Sequence, residues 1–142
     1  MNLNDPLLQI IKRLDALETE QRRLASLEPL FPIWNLAEQE ALTADQTNYA
    51  LRDYGIIQLV PTANRIIRGI TNGYRGRILF LRNDNASFTI TLNNQDAAAV
   101  AENRIVTPSN ANVVLGTRQT AIFFYRVAST TTSRWMLEYP IA

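Results

Sequence analysis

The sequence predicts a mainly β protein, an N-terminal α-helix followed by an antiparallel β-sandwich or barrel. Three observations predict it. Apolar residues recur at the helical 3-4 spacing only ahead of Pro29. From Tyr49 onward the apolar period changes to two. Clusters of turn-forming residues then break the chain roughly every 8–12 residues, the rhythm of short strands in sandwiches and barrels. The expected division is residues 1–30 for the helix, 31–40 for a connector and 41–142 for the β domain.

The helix has a start, a stripe and a stop. Pro6 suits a first helical position because its missing N–H would have no intrahelical partner there, and Asp5 or Asn4 can cap the free amides. Leu7, Leu14 and Gln21 fall at heptad position a, and Ile10, Leu17 and Leu24 at d. That is a narrow coiled-coil seam, with Gln21 as the one polar residue fixing register. Arg13 at g and Glu18 at the following e can pair between parallel chains. The other reading lays this stripe on the chain's own domain. Self-association is preferred, because so thin a stripe buries little against a sheet. Pro29 ends the helix and Pro32 discourages a restart.

After the apolar connector Leu30-Phe31-Pro32-Ile33-Trp34, the predicted strands are Tyr49–Arg52, Ile56–Val60, Arg65–Ile70, Arg77–Arg82, Ser87–Asn93, Arg104–Thr107, Asn112–Leu115, Gln119–Val127 and Ser133–Tyr139. Turns such as Pro61–Asn64, Thr71–Gly73, Asn83–Asn85 and Pro108–Asn110 separate them. Alternation in Ser87–Leu92 points Phe88, Ile90 and Leu92 inward and Thr89 and Thr91 outward. Ile78–Leu81 and Ala121–Tyr125 are apolar on both faces, so they call for cover on both sides. A neighbouring subunit can supply the second cover. Asp96–Glu102 reads as a helical turn or loop, and Trp135 as core.

Composition narrows the chemistry. The chain has 142 residues, 14 Lys+Arg against 13 Asp+Glu, and neither histidine nor cysteine. A Ser-His or Cys-His nucleophile, a Cys/His zinc site, thiol redox chemistry and disulfides are thereby excluded. A net charge of +1 exerts no global pull on nucleic acid or anionic membrane, and neither is expected as a partner. Met1–Pro6 has no basic n-region or apolar h-region, so no secretory signal is expected, and no stretch has the length of a membrane helix.

The carboxylates of the β part are scattered, and no pair shares a strand face at glycosidase spacing. Asn83-Asp84-Asn85 has calcium-friendly oxygens but no EF-hand spacing, and reads as a turn. Asn72–Gly76 lacks the phosphate-loop pattern. Arg65, Arg68, Arg75, Arg77 and Arg82 with Tyr74 form the one local concentration of charge. Carboxylate pairing on a neighbouring protein suits it better than single-stranded nucleic acid, and a solvated surface is the plain alternative. No cofactor and no metal are expected.

Several segments together are similar to a known module. Leu42–Tyr49, Ile66–Ile70, Gly76–Asn83 and Phe88–Leu92, then Asn103–Pro108, Gln119–Ala121 and Ser133–Trp135, resemble in order and spacing a β-sandwich module of tailed-bacteriophage virion proteins. The resemblance covers roughly residues 40–140 and implies a jelly-roll-like domain, usually trimeric, used in tail fibres, baseplate-associated proteins and capsid decoration (cement) proteins. It brings no catalytic motif. The function expected is that of a homotrimeric capsid decoration protein, made in the host cytoplasm and resident in the virion. It would bridge neighbouring copies of the major capsid protein or other virion proteins without catalysis. The alternative is a short tail-fibre or baseplate-associated receptor-binding protein, with the Asn72–Arg75 and Asn83–Asn85 loops as its first candidates. A chain of 142 residues without a long shaft favours the former. Trimerisation falls to Leu7, Ile10, Leu14, Leu17, Gln21 and Leu24, and partner contact to Leu30, Phe31, Ile33, Trp34, Arg65, Arg68 and Arg75. A lyase or glycosidase, from a different class, would need Asp53, Asp84 and Glu138 gathered in a cleft.

Overall fold

The structure is a computed structural model and describes residues 5–27, 39–128 and 132–141. The chain divides into two compact units, Met1–Pro32 and Ile33–Ala142. The described residues of the first form a helix, α1 (Pro6–Leu27). Asp5 caps it as expected: its carboxylate accepts the Leu7 amide at 2.9 Å, and its carbonyl accepts the Gln9 amide.

The second unit is mainly β. Its strands are β1 (Glu40–Leu42), β2 (Ile56–Pro61), β3 (Arg65–Ile67), β4 (Ile78–Asn83), β5 (Ile90–Leu92), β6 (Ile105–Val106), β7 (Val113–Leu115), β8 (Thr120–Ala128) and β9 (Thr132–Ile141). They form a six-stranded sheet, β1-β2-β4-β8-β9-β6, and a three-stranded sheet, β3-β5-β7. From β2 to β8 every connection passes from one sheet to the other. Sheet neighbours are therefore often next-but-one in sequence and run the same way. The wholly antiparallel pairing expected is thus corrected, because β1·β2, β2·β4, β3·β5 and β6·β9 are parallel. Only β4·β8, β5·β7 and β8·β9 are antiparallel among the named strands.

Three strand expectations change. Tyr49–Arg52 is no strand; Tyr49 makes a single bridge to Ile70, and the Leu51 amide is taken by the Tyr49 carbonyl and the Thr71 hydroxyl. β1 was not foreseen. β5 begins only at Ile90, because the amides of Ser87 and Phe88 both donate to Asn85 Oδ1 and belong to the turn. Phe88 is consequently 38% exposed and does not face the core. The Asp96–Glu102 region holds a 3-10 turn, Ala101–Asn103.

The interior is one cluster drawn from both sheets. Leu59, Leu79, Leu81, Phe123 and Trp135 of the larger sheet belong to it together with Ile67, Ile90, Leu92 and Leu115 of the smaller. Each such side chain contributes about 1.5–3 kcal/mol by leaving water. Trp135 lies at its centre, edge-on to Tyr125 and Phe123 with ring centroids 5.1 and 6.4 Å away. Its indole N–H donates to the Ile70 carbonyl at 2.8 Å, which satisfies the one polar atom it carries into the core. Gly73 is forced to be glycine: a Cβ there would stand 1.9 Å from the Tyr125 ring.

Candidate interaction site

The residues assigned to trimerisation lie on α1. Leu7, Ile10, Leu14 and Leu17 are each more than half exposed, and Ile11 widens the ridge. The flanks of the helix are charged and locally paired, Arg23 to Glu20 at 2.6 Å and Arg22 to Glu18 at 4.0 Å. Glu18, expected to pair with Arg13 of another chain, thus also has a weak partner on its own helix. Gln21 is exposed on the same helix, which also includes Leu24. Of the residues assigned to partner contact, Leu30, Phe31, Ile33 and Trp34 lie outside the described residues.

The arginine concentration disperses in space. Arg77 is the clearest correction, because it is not a surface cation at all: only 1% of it is exposed. Its guanidinium donates to the carbonyls of Asn72, Arg52 and Tyr54, tying three loop peptides together, while Tyr74 lies against it at 5.2 Å. Burial pushes its pKa below the ordinary arginine value. Arg68 pairs with Asp96 at 3.3 Å, and Arg65 donates to the Thr62 hydroxyl. Only Arg75 of the three assigned arginines is exposed without a partner among the described residues. The signal for Arg77 was legible in part, since it directly precedes an apolar strand of alternating burial.

The Asn83-Asp84-Asn85 turn acts as a staple. Asn83 is fully buried at the end of β4, and its amide nitrogen meets the carbonyls of Phe88, Leu115 and Gly116 at 2.9, 3.3 and 2.9 Å. Asn85 donates to the Pro61 carbonyl and accepts the Ser87 and Phe88 amides, so it joins the end of β2 to the turn before β5. Asp84 accepts from Arg82, Arg118 and Gln39. Partial burial raises its pKa, but those three hydrogen bonds outweigh it and leave a net lowering. Asp96 is also lowered, chiefly by Asn93 and the Ala98 amide. A lowered carboxylate contributes stability that is present above the unfolded-state pKa and lost as pH falls through the folded-state value. Melting temperature is therefore expected to fall between about pH 5 and about pH 2, and Asp84→Asn, already less stable at the higher pH, to lose less on acidification. Equal losses in the two proteins would contradict this.

Other carboxylates serve the backbone or a neighbouring side chain. Asp45 accepts the Ile66 amide, Asp53 accepts from Asn72, and Glu40 accepts the Tyr49 hydroxyl. Burial, then Glu40, raises the Tyr49 phenol well above its ordinary value. Among the described residues no three Asp or Glu gather as metal ligands, and no helix is long and apolar enough to cross a membrane. A shallow groove of about 460 Å³ lies over the second half of β8 and the middle of β9, lined by Arg75, Phe124, Arg126, Met136 and Glu138 among others. No family model, curated protein or solved structure matches the chain.

Proposed function

We propose that this chain is a virion structural protein of the tailed-bacteriophage type, acting as a homotrimer that decorates and cements the capsid by bridging neighbouring capsid subunits. The observation that carries this is the water-exposed ridge Leu7–Ile10–Leu14–Leu17 on a capped helix, at the a and d spacing of a coiled coil. An isolated helix of this length is marginal in water, and identical copies zipped along that ridge stabilise it. Closed rotational symmetry then sets like β units side by side. In this reading the two sheets are the layers of a sandwich, since their buried faces share one core. The parallel pairings set it apart from the antiparallel jelly roll of the module it resembles. The mechanism is attachment through several weak, identical contacts whose combined affinity exceeds any one of them by effective concentration. Virion partners and a virion location follow from the same reading, and no catalytic step is invoked.

The Asn72–Gly76 loop favours a second reading, a fibre-tip or baseplate-associated protein that recognises the host surface, because Tyr74 and Arg75 stand exposed on it. One experiment separates the two. The full-length protein is tested by light scattering, then by binding to expanded capsids and to host cells. A mass three times 16.1 kDa with capsid binding is the expected result. A trimer that binds only cells supports the second reading, and a monomer defeats both.

A further inference from the structure

A sheet face bathed in water is normally polar, and the outer face of the six-stranded sheet is polar at its Gln58–Arg82–Thr120 end but apolar in its middle. Its register places Ile56 beside Phe80, Phe80 beside Ile122, Ile78 beside Phe124, and Phe124 beside Met136. Directly opposed residues share a face, and each of these six alternates with a buried neighbour, so all six point away from the core. Phe124 is 40% exposed, and the other five are half-buried. The patch runs unbroken across β2, β4, β8 and β9.

One end of this patch is charged. Arg126 and Arg134 face each other directly across β8 and β9, a like-charge pairing that costs stability unless an anion neutralises it. On the other side of the Phe124–Met136 pair, Glu138 is the extra residue of a β-bulge: Ile122 pairs with Tyr139 and Phe123 with Leu137, leaving Glu138 opposite neither. Arg75, Arg126 and Glu138 line one groove, and among the described residues none of the three side chains has a hydrogen-bonded or ionic partner. An apolar centre with unpaired charges of both signs at its rim has the anatomy of a protein interface.

We infer that this face packs against the same face of other copies around the trimer axis, with Phe124 nearest the axis and Arg126 or Arg75 of one copy meeting Glu138 of the next. The inference rests on the trimer reading and adds a second interface to it. A second copy is the occupant because the face carries both members of the charge pair, so it complements itself. The exposed seam of α1 independently asks for identical chains.

The chain contains no cysteine, so single thiols report contacts without background. Phe124→Cys and, on the smaller sheet, Val114→Cys are prepared in the full-length protein and treated with a short thiol-to-thiol crosslinker, while light scattering records the mass of each. Val114 is exposed on β7 and serves as the control for contacts made only through the tether. Phe124→Cys is expected to crosslink at least about tenfold faster, because its thiols are held at high effective concentration. Equal rates in a protein that is still trimeric overturn this interface and leave the trimer standing. A monomeric wild-type protein overturns both. As a second measurement, Arg126→Glu and Glu138→Arg should each shift the trimer toward monomer, and the double variant should restore it. A double variant no better than the singles also counts against the pairing.

Discussion

Asn83→Asp is expected to bring the β unit to the edge of unfolding at neutral pH. The substitution keeps the size of the side chain and changes one group, an NH2 that becomes an oxygen. In the native protein that NH2 is surrounded by three carbonyl oxygens, those of Phe88, Leu115 and Gly116, at a position with no exposure to solvent. A carboxylate there turns three attractive contacts into repulsive ones and is left as a buried charge with only the Asn85 amide donating to it, a change that costs about 3–5 kcal/mol. Total stabilities are only about 5–15 kcal/mol, so the loss is a large share of what holds the fold. At about 4 °C or more for each kcal/mol, the melting temperature should drop by more than about 12 °C. The pH dependence is a further check. The site favours the neutral acid, whose proton can again be donated to a carbonyl, so the folded-state pKa of the new group is raised. The deficit relative to wild type should therefore be least below the ordinary carboxylate range and grow as pH rises through the raised value. Asn83→Ala, which leaves the carbonyls unpaired but adds no charge, should cost about 1–3 kcal/mol with no such pH dependence. If the aspartate variant melts with wild type at neutral pH, the staple does not hold β4 to the corner of the smaller sheet.

The same residue shows why the sequence was readable only to a depth. Asn-Asp-Asn between two strands announces a turn from composition alone, and a turn is there. That the first asparagine is buried and serves three carbonyls depends on β5 and the end of β7 arriving beside it, and no local pattern encodes that arrival. Long elements were legible for the opposite reason. α1 is specified by its own cap and spacing, and β8 and β9 by alternation over many residues and a direct hairpin pairing. β1, only three residues long, is too short for a period to register, and it is held in a parallel ladder by β2, nineteen residues along the chain. Turn signals carry no statement of whether the chain folds back beside itself or crosses to the other sheet. Pro61–Asn64, which resembles a hairpin turn, instead hands the chain from β2 to β3 in a different sheet. Arg77 was misread because charge argues for the surface, and the three backbone carbonyls that compensate its burial come from two loops that converge only in space. The outward apolar positions of β4 and β8 were visible in the sequence, and they remain accessible to solvent in the single chain.

Leu14→Glu is expected to dissolve the proposed trimer while leaving the β unit folded. Leu14 occupies the central a position of the seam and is more than half exposed in the single chain, so nothing within the described residues depends on burying it. In a parallel three-stranded coil, a residue at a meets its own copies in one layer around the axis. Three carboxylates in that layer exchange an apolar contact for mutual repulsion in a partly desolvated place, and like-charge juxtaposition of this kind costs several kcal/mol. Since each 1.4 kcal/mol is a factor of ten, association should weaken by at least about a thousandfold, enough to move micromolar protein from trimer to monomer. The variant should keep the circular dichroism of strands and the cooperative melt of the β unit, because the helix belongs to a separate compact unit. Leu14→Ile supplies the counterpart. A β-branched residue at a preserves the apolar layer without adding charge, so this variant should stay associated. Lowering the pH through the carboxylate range should also recover part of the trimer in Leu14→Glu, since protonation removes the repulsion, whereas Leu14→Ile should not respond. A Leu14→Glu protein that remains trimeric at micromolar concentration and neutral pH would mean that the ridge is not the seam, and the face of the six-stranded sheet would then have to hold the copies together without it.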